Sequence, residues 1–167
     1  MRRAFYDEAA ELIRSDALYF IQEVGGAIKI GRGISASDRL RKMQVGNSRK
    51  LILLAEISAS GWLEAFWHVG FRASRIRGEW FHPTQALQRA IIAIQSSSDW
   101  IQYFPTPSGA NGLQWTEHLR DALEAYEEHV IHDTWSPEEA AMAAFNEFDG
   151  ASLSAKFVQG LRRISSI

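Results

Sequence analysis

Two short segments of alternating apolar and polar residues, separated by a pair of glycines, most constrain the fold of this 167-residue chain. The alternation runs over 17 to 22 and again over 27 to 31, with Gly25 and Gly26 between the two segments. Glycine adopts positive φ without strain, and a tight hairpin turn requires positive φ at its central positions. The sequence therefore predicts a β-hairpin near the start of the chain.

A helix and a buried strand are predicted directly after the hairpin. Ser35 or Ser37 can cap a helix over about 36 to 44, because a serine hydroxyl accepts a hydrogen bond from an otherwise unpaired backbone amide. Leu51 to Ile57 is a short apolar run with turn residues on both sides, which is typical of a buried strand. Gly78 to Phe81 is interpreted as a short return strand.

The remainder of the chain has mainly helical patterns. Helices are predicted over about 3 to 15, from Ser60 or Gly61, from Pro83 to about 95, over 114 to 131, from Ser136 to about 148, and from Ser152 or Ser154 onward. We therefore predict an α+β fold, in which a small three-stranded antiparallel sheet is flanked by helices and followed by a helical C-terminal extension. The predicted division is an N-terminal helix over 1–16, a central domain over 17–95 and an acidic helical extension over 96–167.

Charge is unevenly distributed along the chain, although the formal net charge is only −2. Residues 19 to 82 hold 10 basic and 5 acidic side chains, whereas residues 83 to 167 hold 5 basic and 11 acidic ones. A locally positive field is what binding to a phosphodiester backbone requires. The middle segment is therefore the part of the chain suited to a nucleic acid, and the acidic segment needs a different role.

The composition excludes several classes of protein. No cysteine is present, so disulfide bonds and thiolate metal sites are excluded. No apolar run reaches the roughly 18 residues that a membrane-spanning helix needs, and the first residues lead into an acidic amphipathic stretch instead of the apolar core of a signal peptide. We therefore expect a cytoplasmic protein without a membrane partner.

Several short motifs occur in an order that carries a family resemblance. They are Leu18-Tyr19-Phe20, Lys29-Ile30-Gly31, Arg39 ten positions after Lys29, Glu64 in the helix after the third strand, and Gly78-Glu79-Trp80-Phe81. In order and spacing this set resembles the GIY-YIG nucleases, and more closely the branch with Lys-Ile-Gly as its second motif and a closing Gly-Glu-Trp-Phe. The resemblance covers about 19 to 82 of the chain, and each motif alone is a weak signal.

The resemblance implies a site that hydrolyses phosphodiester bonds. Tyr19 would act as the general base or orient the attacking water, with the pKa of its phenol lowered by nearby Lys29 and Arg39. Arg39 would bind the scissile phosphate through two charge-assisted hydrogen bonds. Glu64 would hold Mg²⁺ or Mn²⁺, since Mg²⁺ often accepts a single protein carboxylate. Lys29 would contact phosphate or stabilise charge, and His68 would relay a proton.

Three features depart from the family pattern. Lys29 stands where the best-described members have a tyrosine, and Met43 stands four residues after Arg39, where many members have His or Tyr. The late asparagine of the family is missing, because none occurs between Asn47 and Asn111. These departures motivate an alternative function, a nucleic-acid-binding module that keeps the fold and has lost the chemistry.

Taken without the resemblance, the same residues have ordinary structural interpretations. An aromatic residue in a strand, such as Tyr19, is typical of a hydrophobic core, and a helical glutamate, such as Glu64, is typical of a solvent-facing surface. For Glu64, the resemblance favours a metal-binding role over that of a solvent-facing helix residue. His68 follows it by one helical turn, and its ordinary pKa suits proton transfer at neutral pH.

Basic residues around the motifs are candidate contacts to DNA, the expected partner. The predicted nucleic-acid-binding residues are Arg32, Arg41, Lys42, Arg49, Lys50, Arg72, Arg75 and Arg77. A solvated surface loop would carry such arginines equally well. A further alternative concerns residues 106 to 167, which would dock a protein partner, self-associate, or cover the basic face as a mimic of DNA.

Overall fold

A computed structural model describes residues 15–131 and 136–146 of the chain. The N-terminal helix predicted over 3 to 15 therefore lies almost entirely outside the described residues. The final predicted helix, from Ser152 or Ser154, also lies outside them, as does the last turn predicted for the helix that begins at Ser136. The sheet and helices of the structure belong to the two described ranges.

The predicted hairpin is present and forms the centre of the sheet. β1 (Ala17–Glu23) pairs antiparallel with β2 (Ile28–Gly33). Gly25 lies in the connecting turn with a φ of 71°, a left-handed conformation that glycine adopts without a steric penalty. The register places Tyr19 directly opposite Gly31, so these two residues face the same side of the sheet.

Within residues 15–131 and 136–146 the sheet has five strands, two more than the three-stranded sheet that was predicted. β3 (Leu51–Ile57) has the predicted bounds and pairs with β1. β4 (Arg75–Arg77) and β5 (Trp80–Phe81) form a short hairpin, and the strand order is β3-β1-β2-β5-β4. The predicted α+β class is confirmed, whereas the prediction of a three-stranded sheet is wrong. β5 lies within Gly78 to Phe81, the segment interpreted as a return strand but not counted in the three-stranded sheet. β4 has only three residues, too few for an alternating pattern to be recognised.

Five helices surround the sheet in the described part of the chain. They are α1 (Ala36–Val45), α2 (Glu64–Gly70), α3 (Gln85–Gln95), α4 (Gly112–Ile131) and α5 (Pro137–Asn146). Ser35 is the N-cap of α1, and its Oγ accepts a hydrogen bond of 3.2 Å from a first-turn amide. The predicted capping box of α5 is present, because Ser136 and Glu139 exchange side-chain to backbone hydrogen bonds.

Strand alternation divides the hydrophobic side chains between the two faces of the sheet. Leu18 and Phe20 of β1 point into the larger core, where α2, α3, α4 and α5 pack. Tyr19 and Ile21 point to the opposite face, where they pack with Ala36 of α1. Helix α1 therefore covers the face of the sheet that carries Tyr19.

Helices α4 and α5 share the larger core with the sheet and α2. The hydroxyl of Tyr126 in α4 donates a hydrogen bond of 2.5 Å to the carbonyl of Trp62, just before α2. The rings of Phe66 in α2 and Phe145 in α5 have centroids 4.9 Å apart. The described part of the predicted acidic extension, residues 96–131 and 136–146, is thus packed onto the segment that carries the motifs.

Gly70, the last residue of α2, is a position where one methyl group would disturb this core. A Cβ there would lie 2.3 Å from a ring carbon of Phe104 and 2.9 Å from Phe145. We expect Gly70→Ala to lower the free energy of unfolding by about 1–3 kcal/mol, the usual cost of overpacking, as measured by urea denaturation. Gly46→Ala is the matched control, because nothing lies within 4 Å of a Cβ at that position. An unchanged denaturation midpoint for Gly70→Ala would contradict this prediction.

Candidate functional site

The side chain of Tyr19 lies against the backbone of β2 at Gly31. A Cβ at position 31 would lie 2.6 Å from the Tyr19 hydroxyl oxygen and 2.7 Å from its Cζ, closer than such atoms approach in proteins. Tyr19 is only 1% exposed. The glycine of the Lys-Ile-Gly motif is therefore required for the tyrosine ring to occupy this position.

The guanidinium of Arg39 in α1 lies close enough to the phenol of Tyr19 to lower its pKa. The arginine is exposed, whereas the tyrosine is buried against α1. Burial raises the pKa of Tyr19 above its ordinary value, and the positive charge of Arg39 offsets this effect only in part. The prediction that nearby cations lower the pKa of Tyr19 is therefore wrong in its net direction, and the phenol stays protonated at neutral pH.

Glu64 opens α2 directly after a 3₁₀ turn at Gly61–Leu63. Its Oε2 lies 3.2 Å from Nε of Arg32, and Nη1 of the same arginine lies 3.2 Å from Oδ2 of Asp16. The carbonyl of Asp16 also accepts hydrogen bonds from the two amides that precede and open this turn. Burial raises the pKa of Glu64, and the positive charge of Arg32 opposes that change. The start of β1 and the start of α2 are thus joined through Arg32, which was predicted as a DNA contact.

Lys29 points to the same face of the sheet as Tyr19. Its side chain is 6% exposed, and its ammonium group forms an ion pair with the carboxylate of Glu79. Burial lowers the pKa of Lys29, and the positive charge of Arg39 acts in the same direction, whereas Glu64 opposes both. Lys29 is therefore a buried cation in contact with a carboxylate.

These four predicted site residues come from four different elements of the fold. Arg39 and Glu64 both act on the pKa of Tyr19, and the same two residues act on the pKa of Lys29. The structure therefore brings Tyr19, Lys29, Arg39 and Glu64 close enough to one another for their charges to interact. An exposed guanidinium beside a largely buried carboxylate can bind an anionic group and a hard cation side by side.

His68 lies one turn after Glu64, and its Nε2 donates a hydrogen bond of 2.9 Å to the carbonyl of Ile30 in β2. Burial lowers the pKa of His68 below its ordinary value, and this hydrogen bond opposes the change. The charges of Arg75 and Lys29 also lower it. The contact joins α2 to β2, and it therefore fixes the helical turn that carries Glu64.

The stability of the protein is expected to depend on pH through His68. Its folded-state pKa lies below the ordinary value of 6.5, so the unfolded state binds the proton more readily. The stability associated with a neutral His68 is therefore complete above about pH 6.5 and is lost as the pH falls toward the folded-state pKa.

We expect the thermal unfolding midpoint of the wild type to fall more between about pH 7.5 and pH 5.5 than that of His68→Gln. Glutamine keeps a hydrogen-bond donor for Ile30 but does not take up a proton. His82→Gln is the control, because His82 is exposed and should leave the wild-type dependence unchanged. Equal pH dependence in the wild type and His68→Gln would show that His68 does not titrate with unfolding.

Four of the basic residues predicted to bind nucleic acid lie on α1 and in the segment just before β3. On α1, Arg41 forms an ion pair of 2.8 Å within its own helix, whereas Lys42 is exposed. Arg49 and Lys50 are exposed immediately before β3, at the turn end of the central hairpin. That end lies about 13 Å along β1 from Tyr19, given the usual rise per residue of a strand.

Arg72, Arg75 and Arg77 are exposed on or beside β4, an edge strand of the sheet. A shift of register between Arg75 and Arg77 sends these two side chains to opposite faces. The guanidinium of Arg75 lies 5.4 Å from the centre of the Phe81 ring, on the face of the larger core. Arg77 lies opposite Trp80 and shares the face that α1 covers. Arg77, and not Arg75, therefore faces the side of the sheet that carries Tyr19.

Sequence reasoning missed three acidic residues beside the site. Asp16 pairs with Arg32, and Glu79 pairs with Lys29. Glu138, at the start of α5, acts on the pKa of the site glutamate. Glu79 belongs to the closing Gly-Glu-Trp-Phe motif, which is the one signal that marks it. No local pattern marks the other two, because folding alone brings them to the site.

Glu64 is the site residue whose chemistry suits a hard divalent cation, since Mg²⁺ and Mn²⁺ prefer carboxylate oxygen. Among residues 15–131 and 136–146, no group of three or more His, Asp or Glu side chains is placed to hold a metal ion. A single carboxylate such as that of Glu64 suffices for Mg²⁺ or Mn²⁺ only where water and substrate supply the other ligands.

Known proteins offer no match to this chain, whether it is scanned against protein-family models, searched against curated proteins or searched against solved structures. Within the described residues, no helix combines the length and the apolar character needed to cross a lipid bilayer. Function is therefore inferred from the residues of the site and from their contacts.

Proposed function

We propose that this protein is a metal-dependent endonuclease that hydrolyses DNA phosphodiester bonds through a GIY-YIG-type site. One observation carries the proposal: Tyr19, Lys29, Arg39 and Glu64, which bear the family resemblance, come from four elements and act on one another electrostatically. The excess of basic side chains in residues 19 to 82 supports a polyanionic substrate.

Arg39 is the residue that meets the phosphate in this proposal. Its guanidinium is exposed and lies near the buried hydroxyl of Tyr19, whose pKa it lowers. A planar guanidinium makes two parallel charge-assisted hydrogen bonds to phosphate oxygens, which fixes the orientation of the phosphate as well as its position. Tyr19 remains a neutral phenol because burial raises its pKa, so in this proposal it orients the attacking water and does not serve as the general base.

Glu64 would hold Mg²⁺ or Mn²⁺, and a metal ion bound there supplies positive charge to the phosphoryl oxygens and to the leaving oxygen. Arg32 orients the Glu64 carboxylate through its contact of 3.2 Å. His68 acts as a positioning residue, because it fixes the turn of α2 that carries Glu64. Lys29 adds a second positive charge beside Arg39, which stabilises the charge that develops on the phosphate.

A plasmid-nicking assay tests the proposal. Supercoiled plasmid is incubated with the full chain in Mg²⁺, in Mn²⁺ and in chelator, and the relaxed and linear products are separated on a gel. We expect nicking in either metal and none in chelator. If a well-folded protein cleaves neither double-stranded nor single-stranded DNA in either metal, the proposal is overturned.

A nucleic-acid-binding module without cleavage is the second candidate function. It is favoured by one observation, that Lys29 and Glu64 each contact an oppositely charged side chain, Glu79 and Arg32 respectively. Such a module binds DNA with an affinity that weakens steeply as salt is added, and it does not nick. Titration of a labelled duplex at low and high salt, on the same preparation, therefore separates the two candidates.

A further inference from the structure

The segment that closes the sheet, Gly78–Phe81, is fastened to β2 through its backbone. Gly78 turns the chain between β4 and β5 with a φ of 50°. The carbonyl of Glu79 accepts a hydrogen bond of 3.0 Å from the amide of Ile30, and β5 pairs with β2. Phe81 is fully buried in the larger core. The position of this segment therefore does not depend on the side chain of Glu79.

The Glu79 carboxylate makes one contact that the backbone does not require, which is its ion pair with Lys29. The glutamate side chain is 44% exposed, whereas the lysine side chain is 6% exposed. A buried ammonium group without an oppositely charged partner is strongly unfavourable. Loss of this ion pair would therefore be more unfavourable for the buried Lys29 than for the more exposed Glu79.

We infer that Glu79 is a positioning residue that holds the ammonium group of Lys29 beside Arg39 and Glu64. The inference rests on the proposed nuclease function, because it assigns the charge of Lys29 a use in that site. Glu79 does not touch the substrate itself and acts through Lys29. The inference also gives a physical role to the acidic residue of the closing Gly-Glu-Trp-Phe motif.

The groups around Lys29 decide what the loss of Glu79 would do. Arg39 on α1 repels the ammonium, and Glu64 on α2 attracts it. The charge of Lys29 also lowers the pKa of His68 on α2. Burial and Arg39 both favour the neutral amine. Without the carboxylate in contact, Lys29 is therefore expected to lose its proton at a lower pH than in the wild type.

The dependence of the nicking rate on pH tests the inference in the wild type, Glu79→Gln, Lys29→Met and the double variant. We expect Glu79→Gln to cleave about tenfold more slowly at mildly alkaline pH, with the alkaline limb of its profile displaced to lower pH. The double variant should cleave no more slowly than Lys29→Met, because Glu79 acts through Lys29. The inference would be overturned if the rate of Glu79→Gln fell at the same alkaline pH as that of the wild type. It would also be overturned if the loss of rate in the double variant equalled the product of the two single losses. Glu79→Asp keeps the carboxylate and should recover the alkaline limb in part.

Chemical labelling of Lys29 provides a readout that does not depend on cleavage. The folded wild type and Glu79→Gln are treated with a small acetylating reagent that reacts with neutral amines, and the modified lysines are quantified by mass spectrometry. We expect faster labelling of Lys29 in Glu79→Gln, with the exposed Lys42 as an internal control. If the wild type does not cleave DNA, the proposed function fails and labelling still decides the inference. If the wild type cleaves and Lys29 is labelled equally in both proteins, only the inference fails.

Discussion

Replacing Glu64 with glutamine is expected to reduce metal-dependent nicking at least about a hundredfold, because charge stabilisation by a bound metal contributes several kcal/mol to such reactions. Glutamine keeps the size of the side chain and an oxygen that Arg32 can bind, but it removes the negative charge that holds a hard cation. DNA affinity should change little, since the loss of an anion does not remove a phosphate contact. The initial rate of plasmid relaxation and a duplex titration measure the two effects.

The control for this variant is Glu124→Gln, which removes the same charge from an exposed position on α4. It should cleave at the wild-type rate. Thermal unfolding of Glu64→Gln shows whether the altered contact with Arg32 affects the fold, and Asp16 remains as the other partner of that arginine. Wild-type cleavage by Glu64→Gln would remove this residue from the metal site and with it the central part of the proposed mechanism.

The central hairpin and β3 could be predicted because their signals are local. Gly25 and Gly26 mark a turn, and alternation on both sides of it indicates two strands that a short loop can pair. The N-cap of α1 and the capping box of α5 are local signals of the same kind, since each uses residues within one turn of the helix start. Elements of this kind need no knowledge of the tertiary structure.

The properties that depend on tertiary packing could not be predicted in the same way. The prediction of a lowered Tyr19 pKa took account only of the charges of Lys29 and Arg39. In the structure α1 buries the phenol, and this burial raises the pKa overall. The pairing of Lys29 with Glu79 depends on a two-residue strand that brings residues 50 positions apart into contact. Neither the burial nor this contact has a periodic signal.

The three arginines near β4 show a further limit of sequence reasoning. Arg75 and Arg77 are two residues apart, a spacing that places side chains on one face of a regular strand. The register shift between them sends Arg75 onto the Phe81 ring and Arg77 to the face of Tyr19. A basic cluster in the sequence is thus divided in the structure, and Arg77 is the better candidate for a phosphate contact near the site.

Arg39→Lys is the second variant with a large expected effect, a loss of about a hundredfold in the cleavage rate, which is typical when a preorganised donor to the reacting group is removed. Lysine keeps the positive charge but replaces the planar fork by a point contact, so it cannot make two parallel hydrogen bonds to one phosphate. DNA affinity should therefore fall much less than the rate.

Arg41→Lys is the matched control for this test. Arg41 lies two residues later on the same helix, and its guanidinium pairs with Asp38. Both variants keep the net charge, so a difference between them reports the geometry at Arg39 and not the field of the protein. A lower rate with little change in affinity for Arg39→Lys, and wild-type behaviour for Arg41→Lys, would place Arg39 at the reacting phosphate. Wild-type rates and affinities in both variants would instead indicate that α1 contributes only positive charge, and equal losses in both would show that Arg39 has no role beyond that of Arg41.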